Sequence, residues 1–304
     1  SSNAVTQSFI SNPKGDAAYV YNNSNGNTIS LSTMTSNAAG YYPLYISRSS
    51  ATVVDDCYVQ GSTAAYVHGS TNTSIINGSV LVSTWTGGIG LQLGGGSVNL
   101  TLSSSTVLGG VQGAAIFLDQ SSTGLIDLSS NTITSTATVG SPYYGLLIAT
   151  QGAGGVFTSL SITSMTFLDP LPEGTTAIEF LGGTFLSTFT SVGFHSSNIG
   201  VNINARPLDP SSTVWMLAPA GPMLGPAFAN DPNQVVHWQL NLPAGCGAGY
   251  NVAAGGGWDF LTINAAVSAL QQNNPTLSTT TCVVIRDTWT YSEQVTVQGF
   301  NSNN

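Results

Sequence analysis

Charge is what this chain most lacks. Only Lys14, Arg48, Arg206 and Arg286 are basic among 304 residues, and ionisable Lys, Arg, Asp and Glu make up 6% of the total. Recognition of a phosphate backbone needs many cations, so a net charge of −9 excludes a nucleic-acid partner. Long apolar runs are missing as well. None approaches the roughly 20 residues that a spanning helix requires, and no membrane span is expected. Cysteine is sparse: Cys57, Cys246 and Cys282 give an odd count with no metal-ligand spacing, so neither a metal nor a cofactor is expected. One bridge, Cys246 to Cys282, would suit an oxidising compartment, and three unpaired thiols fit the sequence as well. Ser, Thr, Asn and Gly supply the surface polarity instead. By association, that composition places the protein outside the cell or at its surface.

What is present is a repeat. A small residue followed by apolar–any–apolar recurs as Ala18-Tyr19-Val20, Leu44-Tyr45-Ile46, Ala65-Tyr66-Val67, Leu91-Gln92-Leu93, Ile116-Phe117-Leu118, Leu146-Leu147-Ile148, Ile178-Glu179-Phe180 and Val201-Asn202-Ile203. Successive starts lie 26, 21, 26, 25, 30, 32 and 23 residues apart, a drift that a solenoid tolerates. A second element follows each triplet, as in Val54-Asp-Asp-Cys-Tyr-Val59, Ile76-Asn-Gly-Ser-Val-Leu81 and Leu102-Ser-Ser-Ser-Thr-Val107. Period-two alternation turns one apolar column inward, and no helical pattern separates equivalent strands. A coil wound around its own core satisfies both facts. The fold class expected is all-β, a right-handed single-stranded parallel β-helix of the pectin-lyase-like kind, with about eight coils and two or three short strands per turn. At about 4.8 Å per strand step, such a rod is on the order of 35 Å long.

Four segments follow. Ser1-Ser2-Asn3-Ala4 looks like the remnant of a cleaved tag, and residues 1–16 read as scar and lead-in. The β-helix occupies residues 17–217. Residues 218–248, with Pro219, Pro222, Pro226, Pro232 and Pro243, read as an extended connector in which Gln234 to Leu240 has the pattern of one strand. Residues 249–304 form a cap-like segment of strand, short helix and one coil, with Ile263, Val267 and Leu270 on one helix face.

Within that last segment, Tyr250-Asn-Val-Ala-Ala-Gly-Gly-Gly-Trp-Asp-Phe-Leu-Thr-Ile-Asn-Ala-Ala-Val267, with Cys282-Val-Val-Ile285 and Tyr291-Ser-Glu-Gln-Val-Thr-Val297, resembles the opening of pectin methylesterases. The resemblance implies a first strand, a capping helix and a first coil. It covers none of that family's catalytic carboxylates, Arg or Gln pair. Two arrangements account for such an opening at this place. Either residues 250–300 begin the next of several tandem units, or the connector lets them fold back and cap the N-terminal end. A span of 31 residues reaches up to about 100 Å, and covering an exposed coil edge favours the second.

Candidate chemistry is thin. The middle residues of the triplets form an outward column whose first five members, Tyr19, Tyr45, Tyr66, Gln92 and Phe117, make an aromatic-rich ridge. Aromatic faces stack on sugar rings, which makes the ridge a candidate glycan-binding site; ladder stacking or a covering connector is the plainer reading. His68 and Asp119 fall two coils apart, on the order of 10 Å, too far for a direct hydrogen bond. Asp55-Asp56-Cys57 resembles the Asp-Asp-Cys of polygalacturonases, but the companion motifs of that family are missing and a polar turn explains the triplet. Asp119, Asp127 and Asp169 are scattered over different coils and make no calcium site. No catalytic residue is assigned, because polysaccharide hydrolysis needs two placed carboxylates. The leading expectation is a non-catalytic secreted or cell-surface segment of a larger protein, an adhesin-like stalk or glycan-contacting surface whose partner is a polysaccharide or surface glycan. The alternative is a carbohydrate-active enzyme of the pectin methylesterase or polygalacturonase kind.

Overall fold

The computed structural model describes residues 2–69, 74–94, 99–119 and 125–135, and beyond them chiefly the strands and helix given below with residues 260–273, 280–285 and 290–298. The chain visits three sheets in rotation, Ala4–Thr6, then Phe9–Ser11, then Ala18–Tyr21, before returning to the first at Thr28–Ser30. Strands within each sheet pair in parallel. The first sheet has ten strands and ends at Val236–Gln239; the second and third have eight each and end at Gly193–Phe194 and Ile199–Ile203. This is the parallel β-helix that the repeat predicts, with three strands per turn. Five complete turns, against the eight or so expected for the whole chain, lie between Ala4 and Leu118, where most side chains are described.

The first rung begins earlier than periodicity predicts. Ala4 pairs with Thr28 and Val5 with Ile29, while Asn3 Nδ2 donates to Asn27 Oδ1 at 3.0 Å. Residues 2–11 are therefore part of the coil and not a lead-in: Asn3-Ala-Val-Thr6 copies the polar–any–apolar–polar order of Asn27-Thr-Ile-Ser30. Alternation then does what was expected of it. Val20, Ile46, Val67, Leu93 and Leu118 are each 8% exposed or less and meet Ile29, Val54, Ile76, Met34, Val59 and Leu81 from the other two sheets in one dry core. Burying each such side chain contributes about 1.5–3 kcal/mol before the entropy of ordering it is counted.

The corner between the first and second sheets shows how a chain without charge satisfies its backbone. Gln7, Leu31, Asp56, Ser104 and Ser130 occupy the same place on successive rungs and share a left-handed φ of 49–55°, with Gly78 at 59°. One left-handed residue turns the chain while its N–H still reaches the next rung, as Asp56 N does to Asn77 O at 3.0 Å. The following residue points inward. Ser8 N donates to Ser32 Oγ, Cys57 N to Ser79 Oγ, Ser79 N to Ser105 Oγ and Ser105 N to Asn131 Oδ1, all at 3.1–3.2 Å. Ser32, Ser79 and Ser105 each donate onward to the carbonyl two residues back. A buried polar ladder is tolerated because each member is paired.

Helix α1 (Ile263–Asn273) packs on the parallel strands Ala248–Val252 and Thr281–Ile285. Ala266, Val267 and Leu270 are buried and Ile263 is half-buried, the face that the spacing predicts. Thr262 Oγ1 accepts from Ala265 N at 3.1 Å, and the Glu293 carboxylate accepts from Ile263 N at 2.8 Å and Asn264 N at 3.0 Å. A hydroxyl and an anion thus meet the unpaired amides of the first turn. The Tyr291 hydroxyl accepts from Ala254 N at 2.8 Å, and Cys246 is joined to Cys282 across a Cα–Cα distance of 5.9 Å. Residues 290–298 carry no strand. Within the connector, Val236–Gln239 forms a strand beside Thr213–Leu217, as its pattern suggested, and residues 218–235 lie outside the described residues.

Candidate functional site

The outer face of the third sheet carries the ridge. Its strands Ala18–Tyr21, Leu44–Ser47, Ala65–His68, Ile89–Gly94 and Ala114–Leu118 place Tyr19 opposite Tyr45, Tyr45 opposite Tyr66, Tyr66 opposite Gln92 and Gln92 opposite Phe117. The alternation that buries Val20, Ile46 and Val67 leaves these intervening side chains no direction but outward. All five expected ridge residues therefore stand in one column.

Their geometry differs from an array of open ring faces. The rings of Tyr19 and Tyr45 have centroids 4.9 Å apart at 11°, and those of Tyr45 and Tyr66 are 5.4 Å apart at 12°. Nearly parallel rings at that separation overlap in an offset stack, because carbon surfaces touch at about 3.5–4.0 Å. The rings lie like slats, turning edges, hydroxyls and part of each face to solvent. Tyr21 extends the stack beside Tyr19 at 5.1 Å, and the His68 ring leans on Tyr66 at 5.4 Å. Tyr19 is 53% exposed, whereas Tyr45 and Tyr66 are half-buried.

Tyr42 completes the cluster from the loop before the strand. Its ring lies 5.4 Å from Tyr45 and 4.9 Å from Tyr66, tilted by 35° and 45°. Its amide is fixed by Asp16 Oδ1 at 2.7 Å. The Tyr41-Tyr42 pair just before a repeat strand is the sequence signal for this residue, and nothing in it says which tyrosine turns inward. Tyr66 reaches over Gly94, where a Cβ would lie 3.1 Å from its hydroxyl.

Gln92 interrupts the stack and plays a different part. Its Nε2 donates to Asp119 Oδ2 at 3.0 Å. Gln92 is opposite Phe117, so Asp119 is its diagonal neighbour, within reach of a long side chain. Burial pushes the Tyr66 phenol up to about 12, helped by Tyr42, Tyr45 and the negative charge of Asp119. Tyr42 is raised for the same first reason, burial, and then by Tyr45, Asp16 and Asp119. Both phenols stay protonated at neutral pH and remain hydrogen-bond donors.

The other candidates do not converge. His68 and Asp119 are two rungs apart, and His68 Nδ1 is buried without a hydrogen-bond partner among the described residues. Asp55 accepts from Asn77 Nδ2 at 2.8 Å in a polar ladder of the first sheet, and Asp56 is a left-handed corner residue. Burial raises the Cys57 thiol above its ordinary range. The Asp-Asp-Cys triplet is thus a corner, as the polar-turn reading has it. Asp127 stands on the first sheet, away from Asp119, and Asp169 lies outside the described residues. Among the described residues no group of three His, Cys, Asp or Glu could hold a metal ion, and no helix is long and apolar enough to cross a membrane.

A family model described as "Right handed beta helix region" matches residues 1–167, which include the whole ridge and the serine corner. No curated protein and no solved structure matches the chain. None of these comparisons reaches residues 250–297.

Proposed function

Because the chain belongs to the right-handed β-helix family, a fold frequent in surface proteins and in enzymes acting on polysaccharide, we propose that it is a non-catalytic segment of a secreted or cell-surface protein whose tyrosine ridge contacts glycans. One observation carries the reading: Tyr19, Tyr45 and Tyr66 stand in strict register on an outer sheet and stack rung by rung. Phenol hydroxyls and ring edges then recur at the strand spacing of about 4.8 Å, a period suited to successive units of an extended sugar chain. Near-absence of charge and the Cys246–Cys282 bridge suit an extracellular setting. Hydrolysis would need two carboxylates facing each other across a groove; Asp119 is bonded to Gln92, and Glu179, the carboxylate of the same outward column, is buried two rungs beyond Phe117.

A glycan array probed with the intact chain tests this. Tyr45→Ala, at the centre of the stack, should lower binding by about fivefold to tenfold, given about 1 kcal/mol per aromatic contact. The exposed Tyr19→Ala, which leaves the core untouched, should lower it less. A blank array, or full binding by both variants with unchanged circular dichroism, would remove the ridge from consideration. Release of reducing ends from a bound polysaccharide would favour the enzyme reading instead.

A further inference from the structure

Resting on that reading, we propose that the ridge selects neutral polysaccharides and turns away uronate-type anionic ones, with Asp119 as the residue that sets the choice. Two rungs beyond the rings of Tyr45, the column changes from phenols to an amide–carboxylate pair, Gln92 Nε2 to Asp119 Oδ2 at 3.0 Å. A sugar chain lying along the tyrosines runs straight onto this pair, because Gln92 is in register with Tyr66. The pair offers carboxylate oxygen to sugar hydroxyls and like charge to sugar carboxylates.

The remaining charges around the ridge point the same way. Asp16 anchors the Tyr42 amide at the other end, so the cluster of rings lies between two carboxylates. Both carboxylates are felt by Tyr42, and Asp119 by Tyr66. Among the described residues, Arg48 is a cation that acts on the ridge, and it acts at Tyr19. The strong way to hold a carboxylate is a charge-assisted bond from Arg or Lys, and the column at Tyr19, Tyr45 and Tyr66 presents phenols instead. The phenols, kept protonated, give and accept hydrogen bonds without charge, which is the chemistry of a neutral polyol.

The test compares one backbone with and without charge, a soluble neutral β-glucan ether and its carboxymethylated form, in affinity gel electrophoresis of the wild-type chain and of Asp119→Asn. The wild type should be retarded by the neutral polymer and at least about twofold to fivefold less by the anionic one, the range of a single exposed charge contact. Asp119→Asn should close much of that gap, read as the ratio of the two retardations within each protein, whatever the change in retardation by the neutral polymer alone. About 1 M NaCl, where the Debye length falls to about 3 Å, should close it for the wild type as well. Equal or stronger binding of the anionic polymer by the wild type overturns the charge selection and leaves the glycan reading standing. A gap that survives the variant overturns the role of Asp119, and its closing in salt alone would assign the selection to the chain's overall net charge of −9. Retardation by neither polymer, together with a blank array, overturns the glycan reading and this inference with it.

Discussion

The coil from Ala4 to Ser135 and the unit around α1 are both small-residue, charge-poor stretches built on parallel strands, yet they are held in opposite ways. In the coil the contacts that hold the core recur: the inward apolar column, the left-handed corner and the buried serine ladder appear on rung after rung. Around α1 each contact occurs once: Glu293 on the first-turn amides, the Tyr291 hydroxyl on Ala254, and the Cys246–Cys282 bond. A repeated contact can fail at one rung while its neighbours hold; a single contact has no neighbour to lean on. The difference teaches that the outer surface of the coil is free to vary, which is where the tyrosine ridge sits, while around α1 the side chains of Thr262, Glu293 and Tyr291 are committed to structure.

Reducing the disulfide should break the comparison most strongly. The bond closes a loop across a separation of 36 residues and ties the start of Ala248–Val252 to Thr281–Ile285. Losing it should cost that unit about 2–4 kcal/mol. Hydrogen exchange before and after reduction should show fast exchange at Thr281–Ile285 and unchanged protection at Tyr58–Gly61 and Val80–Ser83. Loss of protection in all three strands would mean that the two regions unfold as one, and the contrast drawn above would be wrong.

A smaller effect is expected inside the coil. Ser79→Ala removes the acceptor for Cys57 N–H and the donor to Asn77 O, both within the buried corner. An unpaired buried amide costs about 1–3 kcal/mol, and because the ladder is shared the loss should be felt at the rungs on either side. Urea unfolding followed by circular dichroism measures the shift. A change below about 0.5 kcal/mol would mean that water replaces the hydroxyl and that the ladder is not what holds the corner.

Much of this architecture could be read from residue order. Val20, Ile46, Val67 and Leu93 are inward because each follows its partner at period two, and Ile263, Val267 and Leu270 cover one helix face. The corner was less legible. Val54 to Val59 reads as one element, yet the two valines are five positions apart and both fully buried, which a straight strand forbids. Odd spacing between two inward residues is the sign of the left-handed turn at Asp56, and it recurs in Ile76 to Leu81 and Leu102 to Val107. At the ridge, the column of Tyr19, Tyr45 and Tyr66 follows from register alone. The slat-like overlap of the rings and the diagonal bond from Gln92 to Asp119 depend on rotamers, which residue order does not fix.

The smallest expected effect is the one that sharpens the comparison most. Cys57 sits where the other rungs carry Ser32, Ser79 and Ser105, and its sulfur takes the same partners: the backbone of Ser32 on one side and the Asp55 carbonyl at 3.3 Å on the other. If position 57 is a ladder member that happens to be sulfur, Cys57→Ser should move stability by less than about 1 kcal/mol, while Cys57→Ala, which deletes the acceptor, should cost about 1–3 kcal/mol. The native thiol, buried and pushed above its ordinary range, should resist iodoacetamide at neutral pH until the coil opens. Because the other two cysteines are bonded to each other, labelling at Cys57 reports on the coil alone. A loss of more than about 2 kcal/mol in Cys57→Ser would mark this rung as packed by sulfur volume and not by its hydrogen bonds. The coil would then contain, at one corner, the kind of single-use contact that otherwise belongs to the unit around α1.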